Sequence, residues 1–210
     1  LLSAELDDLG SAEKYFKRAL QLGFEDTNTI HFNLGRIHEI AQHNAEAMDA
    51  YLRVTGGERY IAARVRYAFL LAKRDGIAAA RRYLKTVQVE NEQQRTQLLI
   101  SEAQLLRDSG EFRGAYDLLD AYLRKYPDQV ELLYDRALMA DKIGKLDVLE
   151  RDLRKLIELR PDNAHAYNAL GYSLAERGLQ LPEALALIQK AIELSPDDPY
   201  IMDSLGWVYY

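Results

Sequence analysis

Two histidines and a glutamate between residues 38 and 43 form the most suggestive chemical group in this 210-residue chain. A helix that binds zinc through two histidines carries them four residues apart, so that both imidazoles lie on one face. His38 and His43 are five residues apart, which separates them by about 140° on a helix that turns about 100° per residue. We therefore predict no metal site here and interpret the histidines as a surface or groove pair.

Ser173 is the second residue with a suggestive setting. The sequence around it is similar to the motif of the turn that exposes a nucleophilic serine. It reads Gly171-Tyr172-Ser173-Leu174-Ala175. That turn links a strand to a helix, whereas the surrounding pattern predicts the interior of a helix. The chain also lacks cysteine, which excludes thiol catalysis, disulfides and cysteine-built zinc sites. We predict no catalytic residue, no metal and no cofactor.

Basic residues are concentrated between positions 59 and 85, where the only acid after Arg59 is Asp75. The whole chain nevertheless carries 27 Lys and Arg against 33 Asp and Glu, a formal net charge of -6, which argues against nucleic acid as a partner. Helical spacing divides the cluster between two helices, so most of it is interpreted as solvated charge. A patch for an acidic partner segment is the alternative. The cluster comprises Arg59, Arg64, Arg66, Lys73, Arg74, Arg81, Arg82 and Lys85.

The elements that must position these residues repeat along the chain. Pro127, Pro161 and Pro196 are 34 and 35 residues apart, and Gly110, Gly144 and Gly178 are 34 residues apart each time. Such a period is typical of a helical solenoid, which presents an extended surface and not one deep pocket.

Small residues follow the same period in two series, one in each helix of a unit. Small side chains at matching heights allow two antiparallel helices to approach closely. The first series is Gly35, Ala68, Ala103, Ala137, Gly171 and Gly206; the second is Ala12, Ala47, Ala80, Ala115, Leu149 and Ala184, in which Leu149 is the exception. Within a unit, Asp162 or Asn163 is a candidate N-cap, glycine ends the first helix, and Ser195-Pro196 ends the second.

This pattern of residues resembles the tetratricopeptide (TPR) repeat. That repeat has an aromatic residue, then Leu-Gly, and then Ala, Ala and Pro at set positions. The best match has Tyr167, Leu170, Gly171, Leu174, Ala184, Ile188, Ala191 and Pro196. The resemblance implies an all-α fold, a right-handed α-α superhelix of about five full repeats with a partial repeat at each end. The implied repeats of this single solenoid segment are approximately 1–27 (partial), 28–60, 61–95, 96–129, 130–163, 164–198 and 199–210 (partial).

In the TPR family the first helix of each repeat lines a concave surface, and the family positions can be transferred to this chain. Aromatic and aliphatic residues then run along the middle of the surface with charges beside them, and an exposed apolar stripe of this kind marks an interaction site. The resemblance therefore implies a protein-binding groove that includes Phe32, Arg36, Phe69, Ile100, Arg107, Tyr134, Leu138 and Tyr172.

The TPR clamp for acidic C-terminal peptides needs lysine and asparagine at set positions of consecutive first helices. This chain has Phe32, Val65, Ile100 and Tyr134 at the leading lysine position. A more apolar polypeptide segment, helical or extended, suits the groove better. We therefore predict a scaffold or adaptor that binds another protein.

Both ends read as incomplete repeats, so we expect a segment of a longer protein. Repeat proteins need polar capping elements, and residues such as Trp207 and Tyr210 would otherwise be exposed. We expect self-association through these two residues.

The C-terminal third is similar to proteobacterial TPR proteins, several of them envelope lipoproteins. That resemblance implies an adaptor in envelope protein processing or assembly, periplasmic and anchored to the outer membrane through a lipobox upstream. The alternative is a regulatory segment of a larger enzyme, such as an envelope protease or glycosyltransferase. Composition alone leaves the compartment open.

Overall fold

The structure, a computed structural model, describes the backbone of residues 2–209 and the side chains of residues 8–209. Every regular element in this part of the chain is an α-helix, and successive helices pack pairwise, which confirms the all-α prediction. The chain divides into two compact units, 1–105 and 106–210. The predicted repeat boundaries stay a prediction.

Unit 1 contains five helices and most of a sixth. They are α1 (Leu2–Gln21), α2 (Thr27–Ile40), α3 (Asn44–Leu52), α4 (Tyr60–Asp75), α5 (Ile77–Leu84) and α6 (Glu92–Asp108). Helix α2 packs against α3 and α4 packs against α5, while α3 also contacts α4. The centre of this unit is Tyr51, which is fully buried beside Phe32, Met48 and Leu70.

Unit 2 contains six complete helices. They are α7 (Phe112–Leu123), α8 (Val130–Lys142), α9 (Leu146–Leu159), α10 (Ala164–Glu176), α11 (Leu181–Leu194) and α12 (Pro199–Tyr209). Helix α8 packs against α9, α10 packs against α11, and α10 also contacts α12. One predicted N-cap is Asn163, whose side chain accepts a hydrogen bond from the Ala166 N–H at 3.0 Å.

Two of the predicted small residues, Gly35 and Gly171, lie where helices touch. A Cβ atom added at Gly35 would lie 2.6 Å from the Tyr51 ring, and one at Gly171 would lie 2.9 Å from the Ala184 carbonyl oxygen. Around Gly206 no described atom lies within 4 Å of such a Cβ. The predicted helix stops are confirmed at Gly110, Gly144 and Gly178, whose φ angles of +78°, +74° and +63° suit glycine. 

None of the helices of residues 2–209 combines the length and the apolar character that crossing a bilayer requires.

Candidate functional site

We call the surface that contains the predicted contact residues of unit 1 the unit 1 face. Its residues are Phe32 and Arg36 on α2, Phe69 on α4 and Ile100 on α6. Phe32 on α2 is only 7% exposed, because its ring lies 5.9 Å from that of Tyr51 in the core and the guanidinium of Arg59 lies 5.5 Å above it. A partner at this point would therefore meet Arg59 before it met the phenylalanine. Arg36 is exposed, while Phe69 and Ile100 are half-buried.

Glu39 is a second charged feature of α2. It accepts a hydrogen bond from the Tyr51 hydroxyl at 2.7 Å and is paired with Arg66 of α4 at 3.2 Å. The pKa of the Tyr51 hydroxyl is raised, mainly by burial and to a smaller extent by the hydrogen bond to Glu39. The hydroxyl therefore stays protonated and remains a donor. The carboxylate is thus held in one position by two helices.

In unit 2 the predicted residues lie on α8 and α10, and we call their surface the unit 2 face. Tyr134 and Leu138 on α8 and Tyr172 on α10 are half-buried, so each keeps part of its apolar surface open to solvent. The Tyr172 ring lies 6.4 Å from that of Trp207 on α12, between ring centroids. Aromatic and aliphatic side chains thus come from three helices of this unit.

Charged side chains accompany the unit 2 face. Arg107 lies 3.8 Å from Asp135, and Arg177 lies 2.6 Å from Asp141. Burial raises the pKa of the Asp135 carboxyl, and the nearby Arg107 opposes this shift only in part. The unit 2 face therefore contains one carboxylate whose charge is poorly solvated.

Asn168 on α10 adds a polar group to the unit 2 face. Its Oδ1 atom is buried and accepts no hydrogen bond from any residue between 8 and 209. A buried amide oxygen without a donor costs free energy, so Asn168 lowers the stability of unit 2.

Beside Tyr134 lies a cavity of about 380 Å³ at the N-terminal ends of α8 and α10. It is lined by Val130, Glu131, Tyr134, Arg160, Asp162, Asn163 and His165. His165 in turn lies 3.8 Å from Asp198. Arg160, Asp162 and Asn163 were not among the predicted contact residues, because they precede α10 and the predicted groove used only positions within the first helices; Asp162 and Asn163 were predicted only as N-cap candidates.

Most of the basic cluster between residues 59 and 85 is engaged within the protein. Arg64 is buried and donates to the Leu52 and Val54 carbonyl oxygens and to the Tyr83 hydroxyl. Ion pairs join Arg66 to Glu39, Arg74 to Asp75 and Arg81 to Glu102, while Arg59 covers Phe32. Five of the eight basic side chains are therefore held by other residues of the protein.

His38 and His43 do not lie on one helix, as the prediction of their separation had assumed. Helix α2 ends at Ile40 and Gln42 has a φ of +61°, so His43 is the N-cap of α3 and does not continue α2. The His38 and His43 rings therefore approach to 6.3 Å between centroids. No group of three or more metal-binding side chains occurs within the described part of the chain.

Comparison with known proteins agrees with this architecture. The tetratricopeptide repeat family model matches residues 4–60, 100–148 and 150–199. TPR repeat-containing protein PA4667 of Pseudomonas aeruginosa is 39% identical over 183 residues, which make up 87% of this chain and 31% of that protein. The chain thus spans about a third of the length of this relative.

Two solved structures share the fold. A tetratricopeptide repeat protein from Parabacteroides merdae superposes with a TM-score of 0.61 at 15% identity, over 99% of this chain and 80% of that one. YrrB, described as a TPR protein with an unusual peptide-binding site, superposes with a TM-score of 0.56 at 17% identity, over 90% of this chain and 96% of its own.

Proposed function

Because the chain belongs to the tetratricopeptide repeat family, we propose that it binds a polypeptide segment of another protein and performs no chemistry itself. TPR proteins mediate binding to proteins and peptides, and the similar fold of YrrB accompanies a peptide-binding site. One observation carries the proposal: Tyr134, Leu138 and Tyr172 of the unit 2 face are half-buried, so each keeps apolar surface that a bound partner would cover.

The combination suits a polypeptide better than a small molecule. Half-buried aromatic residues gain free energy when a partner covers their remaining apolar surface. An extended polypeptide can contact the side chains of α8 and of α10 at once. The proposed contact residues are those of the two faces. They are Phe32, which a partner would contact by way of the covering Arg59, and Arg36, Phe69, Ile100, Arg107, Tyr134, Leu138 and Tyr172.

The test begins with affinity capture by the full-length protein from its source organism, followed by titration of the captured partner against variants. Tyr134→Ala and Tyr172→Ala should each weaken binding by about 2 kcal/mol, or about thirtyfold, if these rings are central anchors. Tyr15→Ala is the matched control, because Tyr15 is 77% exposed on α1 and lies outside both faces. Unchanged affinity in both folded variants would reject the unit 2 face.

A finer proposal concerns the cellular setting. The resemblance of the C-terminal third to envelope proteins supports an adaptor in envelope protein processing or assembly. A lipobox in the full-length gene, together with recovery of the protein in the outer-membrane fraction, would support it. A metal-binding or nucleotide-binding catalytic motif elsewhere in the gene would instead favour a regulatory segment of a larger enzyme.

Self-association is a further part of the proposal, and α12 supports it. Tyr200, Met202, Trp207 and Tyr209 are each at least 49% exposed, whereas Tyr210 lies outside the described residues. A second copy of this segment would cover these side chains. We expect sedimentation to show association that grows with concentration and is abolished by a combined Trp207→Ser and Tyr209→Ser variant. A wild-type segment that stays monomeric at high concentration would reject this.

A further inference from the structure

We infer that the cavity beside Tyr134 receives a lysine or arginine side chain of the bound polypeptide. This inference rests on the proposed function, because it names the chemistry of one side chain in the segment that the unit 2 face binds. The cavity opens beside a predicted anchor and has about 380 Å³ of space, enough for one long side chain.

The charges around the cavity favour a cation. Glu131 and Asp162 line it, and neither carboxylate forms an ion pair with a described residue. The Oδ2 atom of Asp198 lies 3.8 Å from the Nδ1 atom of the lining residue His165. Arg160 is the one lysine or arginine among the described lining residues, so two lining carboxylates accompany a single guanidinium, and Asp198 adds a third carboxylate next to His165. A cation from the partner would restore the balance.

The ring of Tyr134 also favours a cation in the cavity. The face of an aromatic ring attracts a cation, and the attraction strengthens when water is excluded. Tyr134 is half-buried, and burial together with the charges of Asp135 and Asp198 raises the pKa of its hydroxyl, as expected where negative charge collects. The stem of a lysine or arginine could pack on the ring while its charged end reaches Glu131 and Asp162.

The competing occupant is an anionic group, drawn by Arg160 and by the N-terminal end of α10. Asn163 already caps that end by accepting from the Ala166 N–H, and Asp162 adds a negative charge beside it. The sum of the fixed charges therefore opposes an anion.

The experiment selects ligands from a random peptide display library against the full-length wild-type protein and against a Glu131→Gln and Asp162→Asn double variant. A selected peptide is then titrated beside a copy in which its basic residue is replaced by norleucine. We expect the replacement to weaken wild-type binding about tenfold and to have almost no effect on the double variant, so that the two changes are not additive.

The control is a combined Asp147→Asn and Glu158→Gln variant, which removes two exposed carboxylates of α9 that do not line the cavity. It should keep the preference for the basic residue. Tyr134→Phe should keep it as well, while Tyr134→Leu should reduce it.

Three outcomes separate the two proposals. A basic preference that disappears only in the cavity variant supports this inference. Peptides that bind without a basic preference, or that keep it in the cavity variant, overturn the inference and leave peptide binding standing. A library that yields no binder to the wild-type protein overturns both.

Discussion

Arg136 of α8 holds Asp152 of α9 through two parallel hydrogen bonds, from Nε to Oδ2 at 2.6 Å and from Nη2 to Oδ1 at 2.8 Å. The side chains are only 8% and 2% exposed. The remaining nitrogen, Nη1, donates to Asp120 of α7 at 2.9 Å. Burial alone would lower the pKa of Arg136, but the bonds and charges of these two carboxylates raise it overall. Three successive helices of unit 2 are therefore joined by one guanidinium.

Breaking this network should destabilise the protein strongly. Asp152→Asn leaves the Arg136 charge buried with one carboxylate, and removing one partner of a buried pair costs about 3–5 kcal/mol. Urea unfolding followed by circular dichroism measures the change. Arg151→Gln is the control, since Arg151 touches the same carboxylate at 3.4 Å with its side chain 60% exposed. Equal stability of the two variants would show that the buried contact contributes little.

Two helical glycines should respond in opposite directions to the same substitution. Gly171→Ala places a methyl group 2.7 Å from Ile188 and 2.9 Å from the Ala184 carbonyl oxygen, and overpacking of this kind costs about 1–3 kcal/mol. Gly206→Ala meets no described atom within 4 Å, so the better helix propensity of alanine should stabilise α12 by up to about 1 kcal/mol. Thermal unfolding of both variants checks the contrast, and a stabilising Gly171→Ala would contradict the close approach of α10 and α11.

Arg64 should behave as a core residue despite its charge. Arg64→Met removes the donor from two backbone carbonyl oxygens and from Tyr83, and leaving buried acceptors unpaired costs about 1–3 kcal/mol. Lysine should not restore the stability, because it lacks the planar group that reaches all three acceptors. Arg82→Gln, an exposed change in the same basic cluster, should stay within about 0.5 kcal/mol of the wild type.

The stability of unit 2 should respond to the ionisation of Asp135. Its pKa is raised in the folded state, so the folded protein binds the proton more tightly, and stability falls as pH rises from the usual aspartate pKa through the folded one. Asp135→Asn should therefore be more stable than the wild type at neutral pH, and its advantage should disappear below about pH 3.5, where both states are protonated. A less stable variant at neutral pH would mean that attraction to Arg107 outweighs burial.

The helices and their stops could be predicted because each depends on a few neighbouring residues. A glycine that ends a helix needs a positive φ wherever it occurs, and a small residue is tolerated only where two helices approach. The helix stop at Gly144 and the close helix contact at Gly171 could therefore be predicted from the sequence. A helix break between Gly35 and Ala47 was predicted, but its position after Ile40 was not, because Gln42 adopts the left-handed conformation without being a glycine.

The candidate faces were less predictable, because burial there depends on residues that are distant in sequence. Phe32 occupies a surface position of the repeat, yet Arg59 covers it from the start of α4. Arg64 reads as part of a surface cluster until the carbonyl oxygens at the end of α3 are seen to surround it. Contacts of this kind have no period, so no pattern in the letters marks them.

Tyr51 lies wholly inside unit 1, but its hydroxyl ends on Glu39, which also holds Arg66. Anyone who redesigns the specificity of this module would find that Glu39 cannot be varied independently. Replacing it deprives a sequestered phenol of its acceptor, and shortening Tyr51 releases a carboxylate that then changes what the surface attracts. Substitution of either residue would consequently change both the surface charge and the stability of unit 1.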